Sequence, residues 1–132
     1  MCEVGDIILI ESYKHGNLSL SRHSFVVLSV DAGNIEGLHY DFVCNVLSSF
    51  KNEQQRKKKL EFPGNFEIFQ KDSEVPKGNK KSGYIKSEQL YYFNNQKTQY
   101  TIIGNLHPNA LERLFEFIKN LDIPIKDFID NL

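Results

Sequence analysis

Along its first hundred residues the chain sets short apolar runs between polar, glycine-bearing breaks. Residues 7–10 are a β-branched apolar run just after Gly5-Asp6, which predicts a strand buried on both faces or closing a barrel. Residues 11–24 are polar around Gly16-Asn17 and predict a loop. Residues 25–30 (FVVLSV) predict a second strand, 31–34 a turn, and 35–40 a short strand or irregular edge. Residues 41–49 (DFVCNVLSS) predict a third strong strand. Residues 50–59 contain helix formers but few apolar anchors and predict an exposed loop or a single helical turn. Pro63-Gly64 predicts a bulge or turn beside a strand at 66–69. A mobile loop is expected over 71–82, a strand over 83–93, and another extended piece over 100–103.

The period then changes. Pro108 suits the first turn of a helix, where its missing N–H costs nothing. Leu111, Leu114, Phe115, Ile118 and Leu121 follow at three- and four-residue spacing as one stripe, most simply facing the core. Pro124 breaks that helix, and Ile125, Phe128, Ile129 and Leu132 suggest a short second one. Several strands followed by helices, without βαβ alternation, predict a small antiparallel β-barrel over about 4–104 with C-terminal helices over about 108–131.

Length changes this picture little: 132 residues suit one domain that can bury a core without staples. Apolar residues make up 40% and charged residues 25%, a globular profile. A net charge of −1 excludes a uniformly basic surface but not local patches. The charge is uneven: Lys51, Arg56, Lys57, Lys58 and Lys59 stand close together against Glu53, whereas the C-terminal stretch is mildly acidic. A basic middle is compatible with a polyanion partner, although such a run is also an ordinary solvated loop. Cys2, at an expectedly loose N-terminus, and Cys44, in an apolar run, form no disulfide framework, so a reducing compartment is expected. No signal peptide or membrane span is legible, and the default expectation is a cytoplasmic protein.

Familiar catalytic signatures are missing: there is no P-loop, GxGxxG, HExxH, CxxC or GxSxG. His15, His23, His39 and His107 lack metal-ligand spacing, so neither a metal nor a cofactor is expected. What remains is polar residues at strand mouths. Arg22-His23-Ser24 precedes the second strand, and Asn45, Ser48 and Ser49 lie in or just after the third. Metal-free RNA cleavage needs a base for the 2′-OH, an acid for the leaving 5′-oxygen, and a cation for the phosphorane between them. Arg22 or His23 can supply the cation or acid, and Ser48 a hydrogen bond to phosphate. Solvated strand ends carry the same residue types.

Taken in order, these segments resemble the MazF/PemK family of endoribonuclease toxins. GDIILIESY resembles that family's opening strand, and RHSFVVLSVDAGN its RP-apolar strand and following turn. DFVCNVLSS resembles the strand ending in a catalytic Thr or Ser, KKLEFPGNFEI the segment that resumes the sheet, and SGYIKSEQLYYF the late strand carrying a Gln. HPNALERLFEFIKNL falls where the family has its C-terminal helix. The resemblance implies an SH3-like barrel, a homodimer, metal-independent cleavage of single-stranded RNA at short sequences, and neutralisation by a disordered antitoxin peptide. It carries the catalytic Arg onto His23, with Arg22 beside it, and the catalytic hydroxyl onto Ser48 or a neighbour such as Ser49. It carries the late-strand Gln onto Gln89. The family's RP is RHS here. Either Arg22 or His23 takes the Arg's role, or catalysis is altered or lost. Alternation along a regular strand would stop both from facing one site. The run containing Lys57, Lys58 and Lys59 falls where the family's RNA-facing surface is expected. Tyr84, Tyr91 and Tyr92 are candidate stacking partners, and Asp41 and Asn45 candidate readers of base edges or caps of the sheet.

Overall fold

The computed structural model describes residues 1–76 and 82–132. Its strands are β1 (Asp6–His15), β2 (Leu18–Ser29), β3 (Gly33–Ile35), β4 (Leu38–Tyr40), β5 (Phe42–Ser49), β6 (Asn65–Ile68), β7 (Ser73–Glu74), β8 (Gly83–Lys86), β9 (Gln89–Phe93), β10 (Tyr100–Leu106) and β11 (Lys126–Phe128). Two α-helices, α1 (Glu53–Leu60) and α2 (Pro108–Lys119), and a short 3₁₀ turn at Gln70–Asp72 complete the described elements. The fold is mainly antiparallel β. Among the described residues the main sheet runs β11-β9-β5-β2-β1-β10-β7, with β8 on β5 and β6 on β8. Among the described residues no ladder joins β7 back to β11, so the expected barrel is not closed there by hydrogen bonds.

The apolar runs are continuous because the central strands are buried on both faces. From one face, Ile8, Ile10, Phe25, Val27, Phe42, Cys44, Val46, Tyr91 and Phe93 form one core cluster. From the other, Ile7, Val26, Ile85, Phe66, Ile68 and Leu106 pack with Leu114 of α2. Alternate side chains of β1 and β2 therefore enter different cores, and each fully buried Phe or Ile contributes about 1.5–3 kcal/mol. In the first cluster the ring of Phe25 meets Tyr13, Tyr91 and Phe93 edge-on at 4.9, 5.4 and 5.4 Å.

Several sequence expectations are corrected. Residues 11–24 are not a loop: β1 and β2 continue as a paired arm to His15↔Leu18. Gly16, at φ +60°, opens the two-residue turn, as a type II′ hairpin requires. Apart from Tyr13, which packs in the first core cluster, the arm is polar because it outruns the core, which is why it lacked a strand signal. The turn expected at 31–34 instead lies at Glu36-Gly37, with φ +50° and +80°, between β3 and β4. Residues 126–128 form no helix; β11 lies parallel to β9 (Lys126↔Gln89, Phe128↔Tyr91). Phe128 stacks on Tyr91 at 4.9 Å and on His15 at 4.5 Å. The Asn131 side chain bonds the Lys14 backbone, strapping the arm to the C-terminal segment. Finally, Phe115 is 40% exposed, while Phe117 packs on Phe66 with ring centroids 5.1 Å apart.

The loop expected over 71–82 falls partly on 77–81, outside the described residues. Before it, Ser73–Glu74 pairs with β10 as β7. Cys2 is buried rather than loose, and its N–H donates to the Tyr100 hydroxyl at 3.1 Å. Burial pushes both the Cys2 and Cys44 thiols up from the ordinary range. No helix among the described residues is long and apolar enough to cross a membrane.

Beneath α2, the buried Asp72 accepts from Arg113 at 2.8 Å and from the Phe69 N–H at 2.8 Å. An Asp72→Ala variant strips both donors of their acceptor and is expected to lose about 2–3 kcal/mol in urea unfolding. An Arg113→Ala variant is expected to lose less, because that side chain is half exposed.

Candidate nucleic-acid groove

The β2–β5 register, Ser24↔Leu47, sets His23 beside Ser48 on the adjacent strand. His23 Nε2 lies 3.4 Å from Ser48 Oγ. Ser48 pairs in turn with Tyr84 of β8, so Tyr84 and Lys86 share the face that carries His23 and Ser48. These residues continue the first core's stripe beyond its apolar end. With Lys51 and Gln55 they line an open cavity of about 530 Å³.

His23 is half-buried, and the edge of Tyr13 flanks its ring with centroids 6.1 Å apart. Burial, reinforced by the nearby Lys86 ammonium, holds the His23 pKa below the ordinary histidine value. Burial, and then Lys59, pulls Lys86 down as well. In the unfolded chain His23 regains its ordinary value near 6.5. Below that pH the unfolded chain binds the extra proton first, so this contribution to stability is lost as pH falls towards the folded pKa. Urea midpoints of the wild type and a His23→Ala variant are therefore expected to converge as pH drops from 7.5 to 5.5.

Arg22 borders the same cavity, but its guanidinium is engaged by Glu11 across the hairpin at 3.1 and 3.2 Å. Both side chains are about two-thirds exposed. Alternation thus gives His23, not Arg22, the contact with Ser48. By the same alternation Ser49 points to the other face, although its residue borders the cavity.

At Lys86 and Gln55 this cavity meets a larger depression of about 860 Å³ beneath α1. Lys58, Lys59, Lys86 and Lys126 line the depression with Gln89, and Glu88 is its acidic member. Lys57 is exposed and lies outside the lining. The stretch 50–59 is more ordered than expected. Asn52 caps α1 by accepting from the Gln55 N–H at 2.8 Å, and Lys51 N donates to Gln55 Oε1 at 2.6 Å. Arg56 clamps the helix to β6 through Glu67 at 2.6 and 3.0 Å. The arginine of the basic run is therefore neutralised, and its lysines supply the charge.

The strand expected over 83–93 is broken. β5 has two residues between Cys44 and Leu47, whereas its partner has five between Tyr91 and Ile85. The surplus bulges out as the turn at Ser87-Glu88. Asn45 is 0% exposed and fills the gap, its amide donating to Gln89 O at 2.8 Å and Ser87 O at 3.5 Å. The structure therefore uses Asn45 inside the sheet rather than at the surface. Ser87 is tied to Gly64 O by its N–H at 3.0 Å and its hydroxyl at 2.6 Å. Gln89 lies in the depression's wall.

The other candidates lie elsewhere. Tyr91 is core, and the Tyr92 hydroxyl donates to Asp127 at 2.9 Å. Asp41, beyond the opposite end of β5 from Ser48, accepts from the Asn95 N–H at 2.7 Å and pairs with His39 at 2.8 Å. Those contacts, the backbone one first, hold its carboxyl below the ordinary value. Sequence reasoning missed Lys86 and Glu88 because both sit inside what reads as one uninterrupted strand. Among the described residues no group of three or more His, Cys, Asp or Glu side chains is placed to hold a metal ion. Compared with known proteins, the chain matches no family model and no curated protein.

Proposed function

We propose that this chain is a metal-independent endoribonuclease that cuts single-stranded RNA. The observation that carries the reading is the His23–Ser48 contact at the head of a lysine-lined groove. His23, uncharged at neutral pH, takes the 2′-OH proton on Nε2 in its Nδ1–H tautomer. The 2′-oxygen attacks phosphorus, and the P–O5′ bond breaks. Lys86 balances the charge on the phosphorane and gives its proton to the departing 5′-oxygen. Ser48 gives its hydroxyl hydrogen to a phosphate oxygen, leaving the Nε2 lone pair free for the 2′-OH. The products are a 2′,3′-cyclic phosphate and a 5′-hydroxyl. Lys58, Lys59 and Lys126 hold the flanking phosphates.

The MazF/PemK resemblance extends the proposal to a cytoplasmic toxin on an SH3-like barrel, a homodimer restrained by an antitoxin peptide. A long single-stranded RNA incubated with the protein in EDTA is expected to yield fragments ending in 2′,3′-cyclic phosphate. Salt-dependent binding without cleavage would instead favour a binding module on the same fold. The ion pair that occupies Arg22 is the observation behind that second reading.

A further inference from the structure

The bulge at Ser87-Glu88 is fixed on every side by its backbone. Asn45 holds the carbonyls of Ser87 and Gln89, Gly64 O accepts from Ser87, and Glu88 O accepts from the Lys126 N–H at 2.8 Å. Against this rigid frame the Glu88 side chain is left unfinished. It is 4% exposed, lines the depression beneath α1, and its Oε1 has no hydrogen-bond partner. An unpaired buried carboxylate oxygen is costly, and such a cost persists where a ligand relieves it.

The surroundings are shaped to keep the carboxyl there. A Cβ on Gly64 would fall 2.9 Å from Glu88 Cδ, 3.0 Å from Oε1 and 2.7 Å from the Phe62 ring, so a larger residue there would have to push both side chains aside. Phe62 keeps 46% of its surface exposed in the same wall. Lys59, Lys86 and Lys126 stand around the rim. The site thus offers a carboxylate acceptor, an aromatic face and a ring of cations.

We propose that this depression is a guanine-recognising subsite, in which the Glu88 carboxylate accepts the N1–H and 2-amino hydrogens of one RNA guanine. Among the four RNA bases guanine alone presents two adjacent N–H donors on its pairing edge, matching the two oxygens of a carboxylate. The terminal torsion of a glutamate is broad, so both oxygens can turn to that edge. The base stacks on Phe62, and its phosphate lies among the lysines. The subsite shares Lys86 and Gln55 with the cavity at His23, which places the recognised nucleotide next to the proposed scissile bond. The inference deepens the RNA reading and rests on it for its natural ligand.

Mononucleotides separate the two. The isotope-labelled full chain is titrated with guanosine 5′-monophosphate, inosine 5′-monophosphate and inorganic phosphate, following the amides of Ser87, Glu88 and Gln89. Inosine lacks only the 2-amino group. Guanosine monophosphate is expected to bind about tenfold more tightly than its inosine counterpart, the worth of one hydrogen bond to a charged acceptor. An E88Q variant is expected to lose that ratio while still binding inorganic phosphate. Equal binding of the two nucleotides by the wild type overturns the subsite without needing any variant, as does a ratio that survives in E88Q. RNA cleavage without guanine preference sinks the subsite alone. Guanine preference without RNA cleavage sinks the nuclease proposal and leaves the subsite standing.

Discussion

A His23→Ala variant is expected to cleave single-stranded RNA about 10²- to 10⁴-fold more slowly than the wild type, the usual worth of a positioned general base. It should still bind a short RNA with unchanged salt dependence, because the phosphate-holding lysines are untouched. The wild-type rate should rise with pH through a pKa below the ordinary histidine value, since only the neutral imidazole accepts the proton. Burial and Lys86 lower that pKa. A Lys86→Ala variant should lose about 10²- to 10³-fold in rate and move that pKa up, because the repelling charge is gone. A His23→Ala rate within threefold of the wild type, in protein that unfolds cooperatively, would place the chemistry elsewhere. Arg22→Ala is the informative companion. Its guanidinium already faces Glu11, so the variant is expected to stay within about threefold of the wild-type rate, far short of the loss of a stabilising cation.

The second large effect is a Gly83→Ala substitution. Gly83 is opposite Ser49 in the β5–β8 ladder, and a Cβ there would fall 2.1 Å from Ser48 O. That obstacle is backbone, so it cannot be relieved by a rotamer change. The strands must part, at a cost of about 3 kcal/mol and a melting temperature lower by about 10 °C. Gly104 offers a matched control: a Cβ there would meet Glu74 O at 2.1 Å, on the β7–β10 side of the sheet. Both variants are expected to lose similar stability. Only Gly83→Ala should also lower cleavage by the fraction still folded at low temperature, because only there does the parting strand carry Ser48. Equal residual activity in the two folded variants would show that Ser48's position is not critical.

Much of this protein was legible in its residues. The runs ILI, FVVL and FVCNV mark strands because side chains on both faces must leave water, and periodicity reports burial directly. Pro108 and the apolar stripe after it mark α2 because helix geometry is local. Ser48 and the adjoining Arg22 and His23 were legible as candidates in the same way, because they fall at the edges of recognisable strands. Tertiary structure decided what depends on partners distant in the chain. β11 exists because Gln89–Tyr91 offers an open edge to residues 126–128, and three residues are too few to display a strand's alternation. The polar hairpin arm shows only in the β1–β2 ladder, where Asn131 from the distant C-terminal segment bonds the Lys14 backbone. Asn45 left the surface, and Glu88 entered the groove wall, because a surplus of residues opposite β5 had to bulge somewhere. Strand alternation then chose His23 over Arg22. Sequence specifies which residues seek burial; which neighbours they find there is fixed only when the sheet assembles.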